Sequence, residues 1–107
     1  MTKTTNYIAR RPIGIDMETQ GIAVHVAGGH INNHYGRRIR TEVDEKIELE
    51  LYVSDYDGKQ TWIQHLYYSP TQAKTRESRN CPAQYADIGQ KLEAGFEEIF
   101  GPLQKKE

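Results

Sequence analysis

Short turn signals, separated by runs in which apolar and polar residues alternate, dominate the first two thirds of this sequence. A side-chain period of two is typical of a β-strand that buries one face. Asp57-Gly58 is a dipeptide that favours the tight turn of a β-hairpin. If a two-residue loop closes there, Val53 faces Trp62 and Leu49 faces Leu66, so the large apolar side chains of both strands share a face. The pattern therefore predicts an antiparallel sheet.

Two upstream turns extend this sheet toward the amino terminus. A two-residue turn at Asn32-Asn33 makes Val26 face Ile39, since Asn tolerates left-handed backbone geometry. A four-residue loop at residues 18–21 brings the apolar residues of a further strand onto the same face. Together these turns predict an antiparallel meander of about five strands, at residues 7–17, 22–31, 34–43, 46–55 and 60–68.

The pattern changes after Pro70. Residues 69–81 have almost no apolar face, so we predict a linker or a short helical turn there. Apolar residues then recur at helical spacing, at Tyr85, Ile88, Leu92, Phe96 and Ile99. This spacing predicts a helix over residues 82–100, followed by a short charged tail at residues 102–107. The expected structure is a single α+β domain, residues 1–107, in which a C-terminal α-helix covers one face of an antiparallel meander sheet.

Composition excludes several classes of protein. The chain has 107 residues and a net charge of −1, so no excess of charge indicates a nucleic acid or a membrane surface as the partner. Cys81 is the sole cysteine and cannot form an internal disulfide, which favours a reducing compartment. No apolar run approaches the length of a membrane span. We therefore expect a cytoplasmic protein without a membrane partner.

The side chains that alternate with the apolar ones carry most of the chemistry. A three-residue turn at residues 44–46 would align one row across four strands: His25, Arg40, Glu50 and His65. A carboxylate between a guanidinium and an imidazole is suited to acid-base catalysis, whereas cross-strand ion pairing on a solvated face explains the same residues without any function. Tyr52 and Tyr67 flank the row, and tyrosine is enriched at protein interfaces. The row predicts a solvated ion-paired face or a surface that binds a partner.

The hairpin at residues 28–40 combines glycines, amides, histidines, Tyr35 and three arginines, a composition that can contact phosphates and bases. It matches neither a P-loop nor a dinucleotide-binding motif. Histidines at positions 25, 30 and 34 point in different directions on their strands and do not converge on a metal. No nucleophile motif is present, and we expect no catalytic residue, no cofactor and no metal.

These observations favour a small non-enzymatic binding module that docks on a macromolecular partner, with a protein preferred. Such plain chemistry is common among inhibitors, immunity proteins and accessory factors of phages or plasmids. We expect these residues to bind the partner: Tyr35, Arg37, Arg38, Arg40, Glu50, Tyr52, Ile63, His65 and Tyr67. The first alternative is a single-stranded nucleic-acid-binding domain that uses the sheet face and the arginine-rich hairpin. A further alternative is a small enzyme that uses Glu50 and His65. The oligomeric state stays open, a homodimer included.

Overall fold

The alternating segments form an antiparallel sheet in the computed structural model, which describes residues 13–31, 33–69 and 71–103. Within these ranges six strands lie in the order in which they occur along the chain. Their bounds are β1 Gly14–Thr19, β2 Ile22–Ile31, β3 His34–Asp44, β4 Ile47–Ser54, β5 Gln60–Ser69 and β6 Gln72–Ser78. A short 3₁₀ helix, Ala83–Tyr85, leads into helix α1, Ala86–Phe100. The predicted fold class, an α+β meander sheet with a C-terminal helix on one face, is confirmed.

The hydrophobic core lies between this helix and the sheet. Because side chains alternate along a strand, one face collects the apolar residues, and the apolar stripe of α1 packs on that face. The buried members of this core are Val24, Ile39, Leu49, Leu51, Val53, Trp62, Leu92, Phe96 and Leu103. No helix of the described residues is long and apolar enough to cross a membrane.

The sixth strand is a correction to the sequence-based prediction. Residues 69–81 were expected to form a linker or a short helical turn, yet β6 pairs with β5. Ser69 faces Gln72 at one end of this ladder, and Trp62 faces Ser78 at the other. Its side chains are almost all exposed, because backbone hydrogen bonds attach an edge strand without needing an apolar face. The start of the predicted first strand, residues 7–12, lies outside the described residues, as does the tail at residues 104–107.

The β4–β5 hairpin differs from the predicted register by two residues. Leu51 faces Trp62 and Ile47 faces Leu66, so the expected pairs of Val53 with Trp62 and Leu49 with Leu66 are wrong. The loop has four residues, 55–58, instead of two, and the Ser54 N–H donates to the Lys59 carbonyl across its base at 3.0 Å. A shift of two residues keeps every side chain on its predicted face.

The β1–β2 hairpin shows the opposite error, because its loop is shorter than predicted. Thr19 faces Ile22, and only Gln20 and Gly21 form the turn, with φ angles of 55° and 77°. Positive φ at both central positions is typical of the tight turn whose twist matches that of the flanking strands.

The central part of the sheet follows the prediction closely. Val26 faces Ile39, and Asn33 takes a φ of 72° in the turn between β2 and β3. Arg40 faces Glu50 as expected, and the ladder between β3 and β4 shifts only at its end, between Glu42 and Asp44.

Two glycines let helix α1 approach its neighbours closely. A Cβ atom at Gly89 would lie 2.4 Å from the Cys81 Sγ, and one at Gly95 would lie 2.7 Å from the Thr19 Cγ2. Contacts this short do not occur between real atoms, so both positions exclude a side chain in the observed packing.

Candidate functional site

The sheet face opposite α1 carries a charged network centred on Glu50. This carboxylate is fully buried, and both Arg38 and Arg40 are ion-paired with it. Arg38 donates from Nε to Glu50 Oε2 and from Nη2 to Glu50 Oε1, the latter at 3.1 Å. Arg40 donates from Nη2 to Glu50 Oε1 at 3.0 Å. The Nε2 atom of His65 lies 2.6 Å from Oε1 of Glu50 and must be the donor, because a carboxylate only accepts.

Glu48 forms the second centre of this network. Its Oε1 accepts from Arg40 Nη1 at 3.3 Å and from the Tyr67 hydroxyl at 3.1 Å. Glu48 is 2% exposed and Arg40 is 3% exposed, so these bonds form away from bulk water. At the edge of the same face, His25 Nδ1 lies 2.9 Å from Asp16 Oδ1.

The network determines the protonation state of Glu50. Burial raises the pKa of this carboxyl, but hydrogen bonds from His65 and Arg38, together with the positive charges of Arg40 and Arg38, outweigh burial and hold the pKa well below its usual range. Glu50 is therefore a carboxylate at neutral pH. Such a group is a weak general base, because its affinity for a proton is far too low.

Seven of the nine sequence-predicted site residues come together on this face, whereas Tyr35 and Arg37 lie on the helix side of β3, and the expected exposure of the face to solvent is wrong. Within the described residues, six of them are buried: Arg40, Glu50, Tyr52, Ile63, His65 and Tyr67. The row itself also changes, because the shifted β4–β5 register places Ile63 opposite Glu50 and Glu48 opposite His65. His65 still reaches Glu50 because diagonal neighbours on one face of a sheet are within reach of long side chains. Whether these buried residues take part in binding stays a prediction.

Exposed aromatic rings gather instead at one end of the sheet, where the β2–β3 turn meets the β4–β5 loop. Tyr56 is 78% exposed and Tyr35 is 50% exposed. The Tyr56 ring stacks on His34, with centroids 5.0 Å apart and planes 22° apart, and Tyr35 packs edge-on against His30 at 5.2 Å. We call the residues His34, Tyr35, Asp55, Tyr56 and Asp57 the tip surface.

Sequence reasoning included Tyr35 but missed Tyr56. The predicted strand at residues 46–55 ended just before Tyr56, which the two-residue turn at Asp57-Gly58 kept next to the strand, whereas the observed four-residue loop leaves it 78% exposed. The signal was present in the sequence, since Tyr56 stands between Asp55 and Asp57 in a segment without any apolar alternation.

Two cavities lie on either side of the β4–β5 loop. The larger, of about 360 Å³, lies between the loop and the end of α1, and its walls include Arg37, Tyr56, Phe96 and Leu103. The smaller, of about 220 Å³, lies toward the opposite sheet face and is lined in part by His34, Tyr52 and Lys59. Ser54 and Asp57 contribute to both cavities. The tip surface thus consists of a projecting aromatic ridge beside two depressions.

Arg37 connects the tip surface to the helix. Its Nε donates to Asp55 Oδ1 at 3.0 Å, and its guanidinium carbon lies 5.4 Å and 5.5 Å from the ring centroids of Phe96 and Phe100. Both members of the ion pair are more than a third exposed, which limits its contribution to stability. Arg37 therefore fixes the position of the loop relative to α1 while its charge is largely matched by Asp55.

The described residues contain no group of three or more His, Cys, Asp or Glu side chains arranged to hold a metal ion. Cys81 is partly buried, and burial, with the nearby negative charge of Glu93, raises the pKa of its thiol, which lowers its reactivity.

No protein-family model matches the chain, and neither a curated protein nor a solved structure is significantly similar to it.

Proposed function

We propose that this chain is a non-enzymatic binding module that docks on another protein through the tip surface. The observation that carries the proposal is the exposure of Tyr35 and Tyr56 beside two cavities at one end of the sheet. Tyrosine joins a large apolar area to a polar tip and loses little conformational entropy on binding, and it is therefore enriched at protein interfaces.

The charges of the tip surface favour a protein over a nucleic acid. Asp55 and Asp57 flank Tyr56 and carry the same sign of charge as a phosphate, and Arg37, the nearby cation, is already paired with Asp55. Arg38 and Arg40, which the nucleic-acid hypothesis assigned to phosphate contacts, are ion-paired with the buried Glu50. Single-stranded nucleic-acid binding stays an alternative prediction, but the observed contacts of these arginines support it less than protein binding.

The enzymatic alternative depends on Glu50 and His65. Glu50 accepts hydrogen bonds from Arg38, Arg40 and His65, and its depressed pKa makes it a poor proton acceptor. A structural role for this network, in which each charge is matched by the next, accounts for these contacts without a substrate. Catalysis by Glu50 and His65 is a separate prediction that would need a substrate to test.

Site-specific photocrosslinking tests the proposal. A benzophenone amino acid is introduced at position 56, and in a control at position 68, where Tyr68 is 59% exposed at the opposite end of the sheet. After irradiation in the native host, the cross-linked species are identified by mass spectrometry. We expect a specific protein to cross-link at position 56 and not at position 68. A nucleic acid cross-linked at position 56 would favour the alternative instead.

The affinity of the purified pair then measures the role of the rings. We expect Tyr56→Ala to weaken binding by about 2 kcal/mol, or roughly 30-fold, as for a central aromatic residue of an interface. Tyr68→Ala is the matched control, and it should leave both the affinity and the melting temperature nearly unchanged. Equal effects of the two substitutions on affinity would contradict docking through the tip surface.

A further inference from the structure

Strand β1, with the residue that precedes it, carries an exposed apolar row made of Ile13, Ile15 and Met17, which we call the β1 row. These side chains are 98%, 67% and 40% exposed. They lie on the helix face of the sheet, because Ile15 faces Val26 and Met17 faces Val24, a member of the core. We infer that the β1 row is a dimer interface, in which β1 pairs antiparallel with β1 of a second copy of this chain. The inference goes beyond the proposed function and does not depend on it.

Helix α1 leaves the β1 row uncovered. Among the six residues of β1, Thr19 alone is buried. The helix reaches the strand at this residue, where the Thr19 hydroxyl donates to Glu98 Oε1 at 2.7 Å. From Thr19 back to Ile13 the apolar face of the strand meets solvent. Adjacent exposed apolar side chains on an outer strand are typical of a surface that another chain covers.

The two outer strands of the sheet differ in their side chains. Within the described residues, β1 and β6 occupy the two edges. On the helix face β6 carries Lys74 and Arg76, which face Leu66 and Gln64 of β5. Charged side chains protect an edge strand from pairing with another chain, whereas the helix face of β1 is apolar. Pairing of β1 with β6 of the next copy would also extend into an open filament, but pairing of β1 with β1 closes as a dimer.

The apolar residues of β1 are complementary to themselves in one register. A two-fold axis normal to the sheet makes the paired strands antiparallel and keeps both helices on the same side of the joined sheet. With this axis at Ile15, Ile15 faces its own copy, and Ile13 faces Met17 of the second chain. Every member of the β1 row then has an apolar residue directly opposite it.

The charges on the other face of β1 select the same register. With the axis at residue 15, Asp16 faces Gly14 of the second copy, which has no side chain. An axis at Asp16 would place this carboxylate opposite its own copy, and an axis at residue 17 would place it opposite Glu18. Asp16 also turns toward β2, where its Oδ1 lies 2.9 Å from His25 Nδ1. The register at residue 15 therefore brings no like charges directly opposite each other.

This dimer leaves the tip surface accessible. The tip surface belongs to the β2–β3 and β4–β5 ends of the sheet, and β1 contributes no residue to it. Because the two-fold axis reverses the direction of the strands, the joined sheet carries its two tip surfaces at opposite ends.

Sedimentation equilibrium of the purified full chain tests the inference. We expect a reversible dimer, and we expect Ile15→Lys to raise its dissociation constant at least roughly 100-fold, because each dimer loses two apolar contacts and gains two like charges at the axis. Tyr68→Lys is the matched control, since Tyr68 is 59% exposed on β5, and it should change the dissociation constant less than about twofold. The emission of the buried Trp62 checks that both variants are folded.

Cysteine cross-linking tests the register without adding a charge. In a Cys81→Ser background, Ile15→Cys places one thiol directly opposite its own copy, at a Cα separation of about 4.5–5.5 Å that a disulfide can span. Met17→Cys places the two thiols four residues apart along the strands, about 13 Å, which a disulfide cannot span. Mild oxidation should therefore yield a covalent dimer from Ile15→Cys and not from Met17→Cys.

A chain that sediments as a monomer up to the millimolar range would overturn the inference, and a segment of the same chain or a different protein would then have to cover the β1 row. A dimer that Ile15→Lys leaves intact would overturn it as well, as would a covalent dimer formed by Met17→Cys but not by Ile15→Cys. None of these outcomes depends on the capture of a protein at position 56, so the proposed function is tested separately.

Discussion

The buried charge of Glu50 offers the sharpest test of the energetics of this fold. The substitution Glu50→Gln keeps the size of the side chain but removes the charge that Arg38 and Arg40 share. It also turns an NH₂ group toward donors that need an acceptor. Because the Arg40 side chain is only 4% exposed, water cannot replace the lost bond, and Arg40 keeps only its longer contact with Glu48, at 3.3 Å, as an ion pair.

The expected cost of this substitution follows from the burial of its partners. Removing one member of a buried ion pair costs about 3–5 kcal/mol, because the remaining charge is left without compensation. The Arg38 side chain is 14% exposed and can recover part of its hydration, and Arg40 keeps Glu48 as a partner, so we expect a loss near the lower bound, about 3 kcal/mol. Domains of this size have only about 5–15 kcal/mol of stability in total, so the loss should be prominent.

Urea unfolding followed by Trp62 fluorescence measures this loss. Trp62 is the sole tryptophan and is 3% exposed in the core, so its emission reports on global unfolding. The control is Asp55→Asn, which removes the partner of the neighbouring Arg37 in an ion pair whose side chains are 38% and 41% exposed. We expect the control to cost no more than about 1 kcal/mol. A loss below about 1 kcal/mol for Glu50→Gln as well would refute the reasoning, because Glu50 would then contribute no more than an exposed charge.

The pH dependence of stability gives a second test of the same residue. The folded state lowers the pKa of Glu50 below the ordinary value of 4.5, so its contribution is fully present above that pH and is lost as the pH falls from there toward the folded-state pKa. The difference in unfolding free energy between the native chain and Glu50→Gln should therefore be constant from about pH 6 to pH 8 and decrease below about pH 4.5. A difference that grows on acidification would show that the sign of the pKa shift is wrong.

Three further substitutions test the packing and the turns. Gly89→Ala should destabilise the fold by about 1–3 kcal/mol in thermal unfolding, because its Cβ would lie 2.4 Å from the Cys81 Sγ. The same change in a Cys81→Ala background should cost less, and an equal cost would locate the strain elsewhere. Gln20→Asn should stabilise the protein by a few tenths of a kcal/mol to about 1 kcal/mol, since Asn-Gly suits a turn in which position 20 has a φ of 55°. A lower melting temperature would mean that the exposed bond from Gln20 to Glu98, at 3.0 Å, matters more than the backbone.

The sequence was sufficient to predict which face each strand residue occupies. Leu49 and Leu51 point to the helix and Glu50 points away, as the period of two requires. The predicted faces are correct although the lengths of the β1–β2 and β4–β5 loops were wrong. Each error shifted the register of a hairpin by two residues, and a shift of two leaves every side chain on the same face. The sequence could not predict β6, because an edge strand held by backbone bonds leaves no apolar pattern in its side chains.

Local sequence thus determined the fold class, the helix and the face of each strand residue, since these depend on periodicity and on short-range turn chemistry. It did not determine the full core, because Ile15 and Met17 of β1, expected on the core face, are 67% and 40% exposed. Only the tertiary structure decided that Arg40 and His65 are buried and both bonded to the buried Glu50, and that Tyr56 projects beside a cavity at the end of α1. The physical reason is that burial and ion pairing depend on distances between strands and on the number of residues in each loop. The alternation of residues along a single strand depends on neither quantity and therefore cannot predict either one.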